Sequence, residues 1–385
     1  MKKPFEIHFN ESVVEDLKDR LSQTRWPNEI ENTKWEAGAN LAYLKELCDY
    51  WQHNYDWKKN ETYLNSFQHY RSDIDGTGIH FIYEKAKGKR SVPLLLTHGY
   101  PDSFVRFLKL IPLLTADENG VSFDLVIPSI PGFGFSDKPV EPGMTPKRIA
   151  SLFHKLMTEE LGYTKFFAQG GDWGSSITEQ IAIEYPDALL GYHMTDIPYY
   201  HLFAIPPNDL TAPEKKFMEA GKKWQVKEGG YAMLQSSLPQ TLGYGLNDSP
   251  AGLAAWIIEK FYRWSDCNGN LENCFSKDEL LNNLNIYWLT QTINSANRIY
   301  YETAQQAPPG NFKKIEVPAA ITMYPKDLVI APKEYAERIY NVQQWNEMKK
   351  GGHFAAMEQP ELFSEDIRKF ANKIAAKNKA GVLTM

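Results

Sequence analysis

The sequence predicts an α/β protein whose mostly parallel sheet is interrupted by a helical insertion. Apolar runs at residues 92–97, 123–127 and 165–168 have the length and composition of buried parallel strands. A further strand is predicted at residues 189–194, and then the alternation of strands and helices stops until residues 319–323. Because so long a connection needs structure of its own, we expect a helical lid inserted into one α/β core.

Composition and charge are those of an ordinary soluble globular protein. Of 385 residues, 43% are hydrophobic and 23% charged, and 42 Lys and Arg against 48 Asp and Glu give a net charge of −6. The absence of a basic stripe argues against nucleic acid as a partner. With neither a signal peptide nor a long apolar span, we expect a cytoplasmic protein without a membrane anchor. Three cysteines without disulfide or metal spacing are expected to be free thiols.

The elements divide the chain into four predicted parts. Ser12 and Glu15 form a capping box, which predicts the start of the first helix in an aromatic-rich N-terminal extension. The closing helix is predicted to begin at Pro360 and to pack one face inward. The lid should cover the carboxyl ends of the strands, where open α/β sheets bind ligands. The predicted parts are the extension at 1–75, the core at 76–196, the lid at 197–312 and the second part of the core at 313–385.

A strand-to-helix turn after residues 165–168 carries the first candidate catalytic residue. Asp172 stands between glycines in Gly170-Gly171-Asp172-Trp173-Gly174, as a nucleophile does at a sharp turn that raises its side chain above a sheet. A carboxylate attacks acyl carbons poorly but can displace a leaving group at an sp3 carbon and form an alkyl ester. The elbow therefore predicts an alkylating substrate, although Asp172 could instead be only the N-cap of the following helix.

Two loops supply the other predicted groups. The loop that begins with His98 follows a buried strand, so the backbone N–H groups of Tyr100 and Trp173 are predicted to form an oxyanion hole. His98 itself is interpreted as a structural residue of that loop. His353, after Gly351 and Gly352, is the candidate general base because it comes last in the chain order that this elbow predicts.

The acid that orients His353 should lie on the loop after an earlier strand. Asp327 follows residues 319–323 and is the preferred candidate, while Asp196, at the end of the 189–194 strand, is the alternative.

These motifs resemble those of epoxide hydrolases of the microsomal and fungal type, within the α/β-hydrolase superfamily. The resemblance covers nearly the whole chain and implies an α/β-hydrolase fold with a mostly parallel sheet, helices on both faces and an inserted lid. It also implies that the N-terminal extension is the meander that wraps the core in that family. The motifs that carry it are His98-Gly99-x-Pro101, Gly171-Asp172-Trp173-Gly174, the lid segment at 246–255 and Gly351-Gly352-His353-Phe354.

In that family two lid tyrosines bind the epoxide oxygen and protonate the alkoxide, and the matching residues here are Tyr231 and Tyr300. The chemistry favours such donors, since a phenol of pKa ~10 is protonated at neutral pH yet acidic enough to protonate a leaving alkoxide. Tyr301 is a close alternative to Tyr300. Trp173 is expected to line the substrate site with the two tyrosines.

The predicted function is therefore hydrolysis of an epoxide to a vicinal diol through an ester on Asp172. The alternatives are a haloalkane dehalogenase, which shares the aspartate elbow but usually has asparagine where Tyr100 stands, and a non-catalytic ligand-binding homologue. No cofactor is implied, because the scans find neither nucleotide loops nor metal-ligand motifs. The expected partners are an epoxide and water, with a homodimer left open, and the aromatic-rich lid predicts a largely apolar pocket.

Overall fold

A nine-stranded mixed sheet forms the centre of the computed structural model, which describes residues 1–89, 91–117, 120–203, 209–306 and 313–382. The strands lie in the order β1-β2-β3-β5-β4-β6-β7-β8-β9. The last six strands in this order, which include β4, are parallel to one another. They span Lys3–Pro4 (β1), His69–Ile74 (β2), Thr77–Glu84 (β3), Ser91–Thr97 (β4), Ser122–Pro128 (β5), Phe166–Gly170 (β6), Leu189–Met194 (β7), Ile315–Met323 (β8) and Tyr340–Glu347 (β9).

The strand order reverses at β4, which positions the functional site. β5 pairs with one edge of β4 and β6 with the other. The connection after β4 therefore runs toward one side of the sheet, and the connection after β6 runs toward the opposite side. Such a switch point opens a crevice at the carboxyl ends of the strands. Every residue of β5 and β6 is buried, as expected for strands covered on both faces.

Fifteen α-helices lie in the described parts of the chain, and six of them, α7 to α12, come between β7 and β8. Lid helices α8, α9 and α12 pack against one another. The helices are Glu11–Ser22 (α1), Leu41–His53 (α2), Trp57–Leu64 (α3), Leu110–Thr115 (α4), Pro146–Lys155 (α5), Trp173–Glu184 (α6), Ala212–Glu228 (α7), Gly230–Ser237 (α8), Pro239–Asp248 (α9), Pro250–Trp264 (α10), Lys277–Thr290 (α11), Ile293–Ala304 (α12), Lys333–Ile339 (α13), Ala355–Glu358 (α14) and Pro360–Val382 (α15).

The N-terminal extension is held against the lid by hydrogen bonds to α11. Trp51 Nε1 donates to Asn285 Oδ1 at 3.1 Å, and the Tyr55 hydroxyl donates to Asn282 Oδ1 at 2.6 Å. Because these polar atoms are buried, each bond satisfies groups that would otherwise be costly to remove from water. Two aromatic side chains of this segment, Trp51 and Tyr55, therefore support the lid.

The structure corrects some predicted elements. Helix α1 begins at Glu11, so Ser12 lies inside the helix and is not its N-cap. The N-cap is Asn10, whose side chain makes no capping hydrogen bond. Strands β1 and β2 and helix α13 were not predicted, since their mixed polarity lacks a clear period. Strand β7 has its predicted bounds and α15 begins at Pro360.

The predicted fold class is confirmed. Within the described ranges, no helix combines the length and apolar composition needed to span a membrane. The three cysteines are free thiols, as predicted. Residues 204–208 and 307–312 of the predicted lid lie outside the described residues.

The close approach of α6 to the strand end predicts a large effect of Gly174→Ala. A Cβ there would lie 2.0 Å from the carbonyl oxygen of Thr97, which is backbone and cannot move aside. We expect Gly174→Ala to lower the free energy of unfolding by ~1–3 kcal/mol or more, measured by urea denaturation.

The matched control is Gly245→Ala on α9, where a Cβ would meet no atom within 4 Å. That substitution should stabilise the protein by up to ~1 kcal/mol, because alanine favours a helix interior. Equal stability of the two variants would contradict the proposed packing of the turn.

Candidate active site

Asp172 occupies a strained turn between β6 and α6. Its backbone has φ of 59° and ψ of −125°, an unfavourable conformation for a residue with a side chain. Gly170 permits the turn, since a Cβ on it would lie 2.0 Å from the carbonyl oxygen of Gly174. The small residues thus allow the chain to reverse tightly and hold the carboxyl group of Asp172 over the switch point.

One oxygen of this carboxylate lies in the predicted oxyanion hole. Asp172 Oδ1 accepts hydrogen bonds from the backbone N–H of Tyr100 at 2.8 Å and of Trp173 at 2.7 Å. The loop that carries Tyr100 is fixed by His98, whose Nε2 accepts from the N–H of Ile130 at 3.1 Å. His98 Nδ1 must then carry the proton and donates it to the Gly99 carbonyl at 2.9 Å, which is the predicted structural role.

The other oxygen of Asp172 faces His353. The distance from Asp172 Oδ2 to His353 Nε2 is 3.5 Å, an ion-pair distance longer than a good hydrogen bond. On the far side of the ring, Nδ1 lies 2.7 Å from Asp327 Oδ1. The structure therefore brings the three residues together in the order Asp172, His353, Asp327.

The charge of His353 depends on both carboxylates. Burial favours the neutral ring, but the negative charges of Asp327 and Asp172 outweigh burial and raise the pKa of His353 to about 10. The free site at neutral pH is accordingly an ion pair of Asp172 with an imidazolium.

Asp196, the alternative acid, contacts the elbow and not the ring. Its Oδ1 accepts from the backbone N–H of Asp172 at 2.9 Å and from the hydroxyl of Ser175 at 2.5 Å. Burial, reinforced by the charge of Asp327, raises the pKa of Asp196 to about 7. Asp196 thus fixes the backbone of the elbow, while Asp327 makes the contact that an orienting acid requires.

Three charged side chains that the sequence did not reveal position the loops. Arg106 donates to Asp102 and, at 2.7 Å, to the carbonyl oxygen of His353, while Asp102 accepts from Gly99 N–H at 2.8 Å. Glu358 has a comparable role on the histidine loop, accepting from the N–H groups of Gly352 and Phe354, each at 3.0 Å. A spacing of five residues after the histidine is the only local signal of Glu358.

The predicted tyrosines meet above the carboxylate. Tyr231 on α8 and Tyr300 on α12 are both buried, with ring centroids 5.8 Å apart, and Tyr300 lies edge-on to Trp173 at 4.7 Å. The hydroxyl of Tyr300 has no hydrogen-bond partner within the described parts of the chain, so a donor is available at this point. Tyr301 is 39% exposed, which separates it from its neighbour and leaves Tyr300 as the residue in the site.

Burial raises the pKa of both phenols, and the nearby Asp172 carboxylate raises each further. Both therefore remain protonated at neutral pH. Among the residues that the structure describes, no three His, Cys, Asp or Glu side chains are grouped as metal ligands.

Comparison with known proteins decides the family. Residues 2–107 match the epoxide hydrolase N-terminus family, and residues 92–228 match the alpha/beta hydrolase fold family. Epoxide hydrolase 1 of Sus scrofa is 36% identical over 404 residues, covering 96% of this chain and 88% of that protein. The chain belongs to the epoxide hydrolase family.

Solved structures agree with this epoxide hydrolase along nearly its full length. The juvenile hormone epoxide hydrolase of the silkworm Bombyx mori has a TM-score of 0.86 at 32% identity, covering 98% of this chain and 94% of that one. The Aspergillus niger epoxide hydrolase has a TM-score of 0.85 at 27% identity, covering 97% of each chain. The predicted family, fold and enzyme activity are confirmed, in preference to dehalogenation or ligand binding.

The geometry predicts that Asp327→Asn lowers the pKa of His353. The substitution removes the first of the two charges that raise it, so the ring should titrate well below 10 in 15N-histidine NMR spectra. Asp196→Asn is the control, because that side chain bonds the elbow backbone and should change the pKa much less. An equal decrease in both variants would show that the two carboxylates act on the ring alike.

Proposed function

We propose that this enzyme opens its epoxide by direct attack of Asp172 and then hydrolyses the resulting ester with water activated by His353. The proposal is based on the different contacts of the two oxygens of the Asp172 carboxylate. Oδ1 accepts two backbone hydrogen bonds, while Oδ2 is directed toward His353 and makes no short bond to it. Oδ2 is thus the oxygen free to attack.

In the first step Oδ2 attacks one epoxide carbon while the bond from that carbon to the epoxide oxygen breaks. The leaving alkoxide is a poor leaving group and needs a proton as it forms. Tyr231 and Tyr300 are proposed to bind the epoxide oxygen and supply that proton. Their converging rings and the unpartnered Tyr300 hydroxyl support this role.

In the second step Oδ1 has become the carbonyl oxygen of the ester and still lies between the N–H groups of Tyr100 and Trp173. His353 removes a proton from water, which attacks the ester carbon, and the negative charge develops on Oδ1 between those donors. The bond between that carbon and Oδ2 then breaks, and Oδ2 leaves as a hydroxyl oxygen of the diol after taking a proton from His353. The water oxygen remains in the carboxyl group, whose proton passes to His353 and restores the ion pair.

The raised pKa of His353 links the two steps. In the free enzyme the imidazolium is paired with Asp172 and cannot act as a base. Ester formation neutralises Asp172 and removes one of the two charges that hold the proton, so the pKa of His353 falls. The proton that His353 then releases balances the one that the phenol gave to the alkoxide. Asp327 then remains to orient the ring and to stabilise the imidazolium that forms again.

Trapping the ester tests the nucleophile and the base together. His353→Gln should be alkylated by styrene oxide yet fail to release diol, giving a stable mass increase of one substrate on a peptide containing Asp172. In a wild-type single turnover in 18O-labelled water, the first diol should carry unlabelled oxygen. Full labelling of that first diol, or no adduct on an inactive variant, would contradict direct attack.

The lid tyrosines are tested by the rate of the first step. We expect Tyr231→Phe and Tyr300→Phe each to slow alkylation by roughly 100-fold, about 3 kcal/mol, as does loss of one donor in comparable sites. The double variant should be nearly inactive on epoxides, whereas Tyr301→Phe is the matched control and should change little, because Tyr301 is exposed. The rate of alkylation is measured by stopped-flow tryptophan fluorescence. An unchanged rate in the double variant would show that both phenols only pack in the lid.

The cytoplasmic location, the apolar pocket, the homodimer and the exact domain boundaries stay predictions from the sequence.

A further inference from the structure

A lysine in the lid lies against one of the two site tyrosines. Lys260 on α10 is 7% exposed, and its ammonium group is 4.9 Å from the ring centroid of Tyr231. The same group is 5.6 Å from the ring centroid of Trp264. A buried ammonium over the face of an aromatic ring is attracted by the ring electrons, more strongly when it is desolvated.

The acidic partner of Lys260 is shared with a second cation. Glu259 forms ion pairs with Lys260 and, at 2.5 Å, with Arg263 Nε, and Arg263 also bonds Glu228 at 2.9 Å. Because Glu259 pairs with both Lys260 and Arg263, its single negative charge is shared between two cations. It therefore does not fully compensate the ammonium group of Lys260. The ammonium of Lys260 is the cationic group in contact with the Tyr231 ring.

Epoxide opening requires Tyr231 to release a proton in a buried environment. Its buried phenol lies among the rings of Tyr100, Tyr300 and Trp264, near the carboxylate of Asp172. As the phenol yields its proton to the alkoxide, negative charge develops on the oxygen and spreads into the ring. In surroundings with few water molecules to solvate it, that charge is costly unless a fixed cation is close.

We propose that Lys260 is a positioning residue for epoxide opening, stabilising through Tyr231 the negative charge that develops as the phenol protonates the leaving oxygen. The proposal rests on the proposed function of Tyr231 as a proton donor. Lys260 makes no contact with the carboxylate of Asp172 in the described structure and acts through the aromatic ring alone.

The direct test is the single-turnover alkylation rate of Lys260→Met, which keeps the chain length and removes the charge. We expect alkylation by styrene oxide to slow at least tenfold, while hydrolysis of the preformed ester changes less than twofold. Lys260→Arg restores a cation over the ring and should recover the rate to within about threefold. Lys222→Met, on an exposed lid lysine, is the matched control and should leave both steps unchanged.

A double-mutant cycle separates this role from packing. In a Tyr231→Phe background the phenol in contact with Lys260 is gone and only Tyr300 can donate, so Lys260→Met should slow alkylation less than twofold further. In a Tyr300→Phe background it should keep its full effect. A full additional loss on Tyr231→Phe, or equal slowing of both chemical steps, would overturn the proposal.

Glu259→Gln tests the proposal without removing Lys260 and serves if Lys260→Met does not fold. Removing the acid leaves the ammonium less compensated, and it also removes a negative charge that raises the pKa of Tyr231. Alkylation should therefore accelerate twofold or more in the wild-type background and less in a Lys260→Gln background. An unchanged or lower rate, or equal acceleration in both backgrounds, would overturn the role. A wild-type enzyme that forms no ester on Asp172 would instead overturn the proposed function, and this inference with it. An ester that forms at an unchanged rate in Lys260→Met overturns the role of Lys260 alone.

Discussion

The buried ion pair between Asp102 and Arg106 is the interaction on which the geometry of the site depends. Asp102 holds the N–H of Gly99, next to the oxyanion hole, and Arg106 holds the carbonyl oxygen of His353. Both side chains are 1% exposed, so either charge left alone would be strongly destabilising. A single pair therefore ties the loop after β4 to the loop after β9, and Arg106 lies against the elbow that carries Asp172.

The carboxyl groups around this ion pair each have different hydrogen-bond partners. Asp172 receives two amides and faces an imidazolium, Asp327 binds the ring, and Asp196 binds the backbone of the elbow. Glu358, whose pKa burial raises to about 7, fixes the histidine loop through amide donors. The same type of side chain thus occupies the positions of the proposed nucleophile, of the partner of His353 and of structural acceptors, because its neighbours differ.

The sequence predicted the parts of the site that local spacing determines. The glycines around Asp172 and before His353 are required within a few residues of the group they serve, so they form readable motifs. Arg106 and His353 are 247 residues apart, and no local pattern reveals a contact of that kind. Tyr300 and Tyr301 are neighbours with equal chemistry, and only the packing of α12 decides which of them is buried. Strand β2 was missed because its polar and apolar residues do not alternate regularly.

The lid shows how support and chemistry are combined in one layer. Helices α8 and α12 each place a phenol above Asp172, and these helices pack directly on each other, so the separation of the two phenols is set by their contact. Helix α10 contributes Lys260 beside Tyr231 and the carbonyl oxygen of Trp264, which accepts the N–H of His353 at 2.7 Å. The N-terminal extension braces α11 from outside. A displacement of α10 would therefore disturb Tyr231 and the histidine loop together, so the lid helps to fix the geometry of the site as well as covering it.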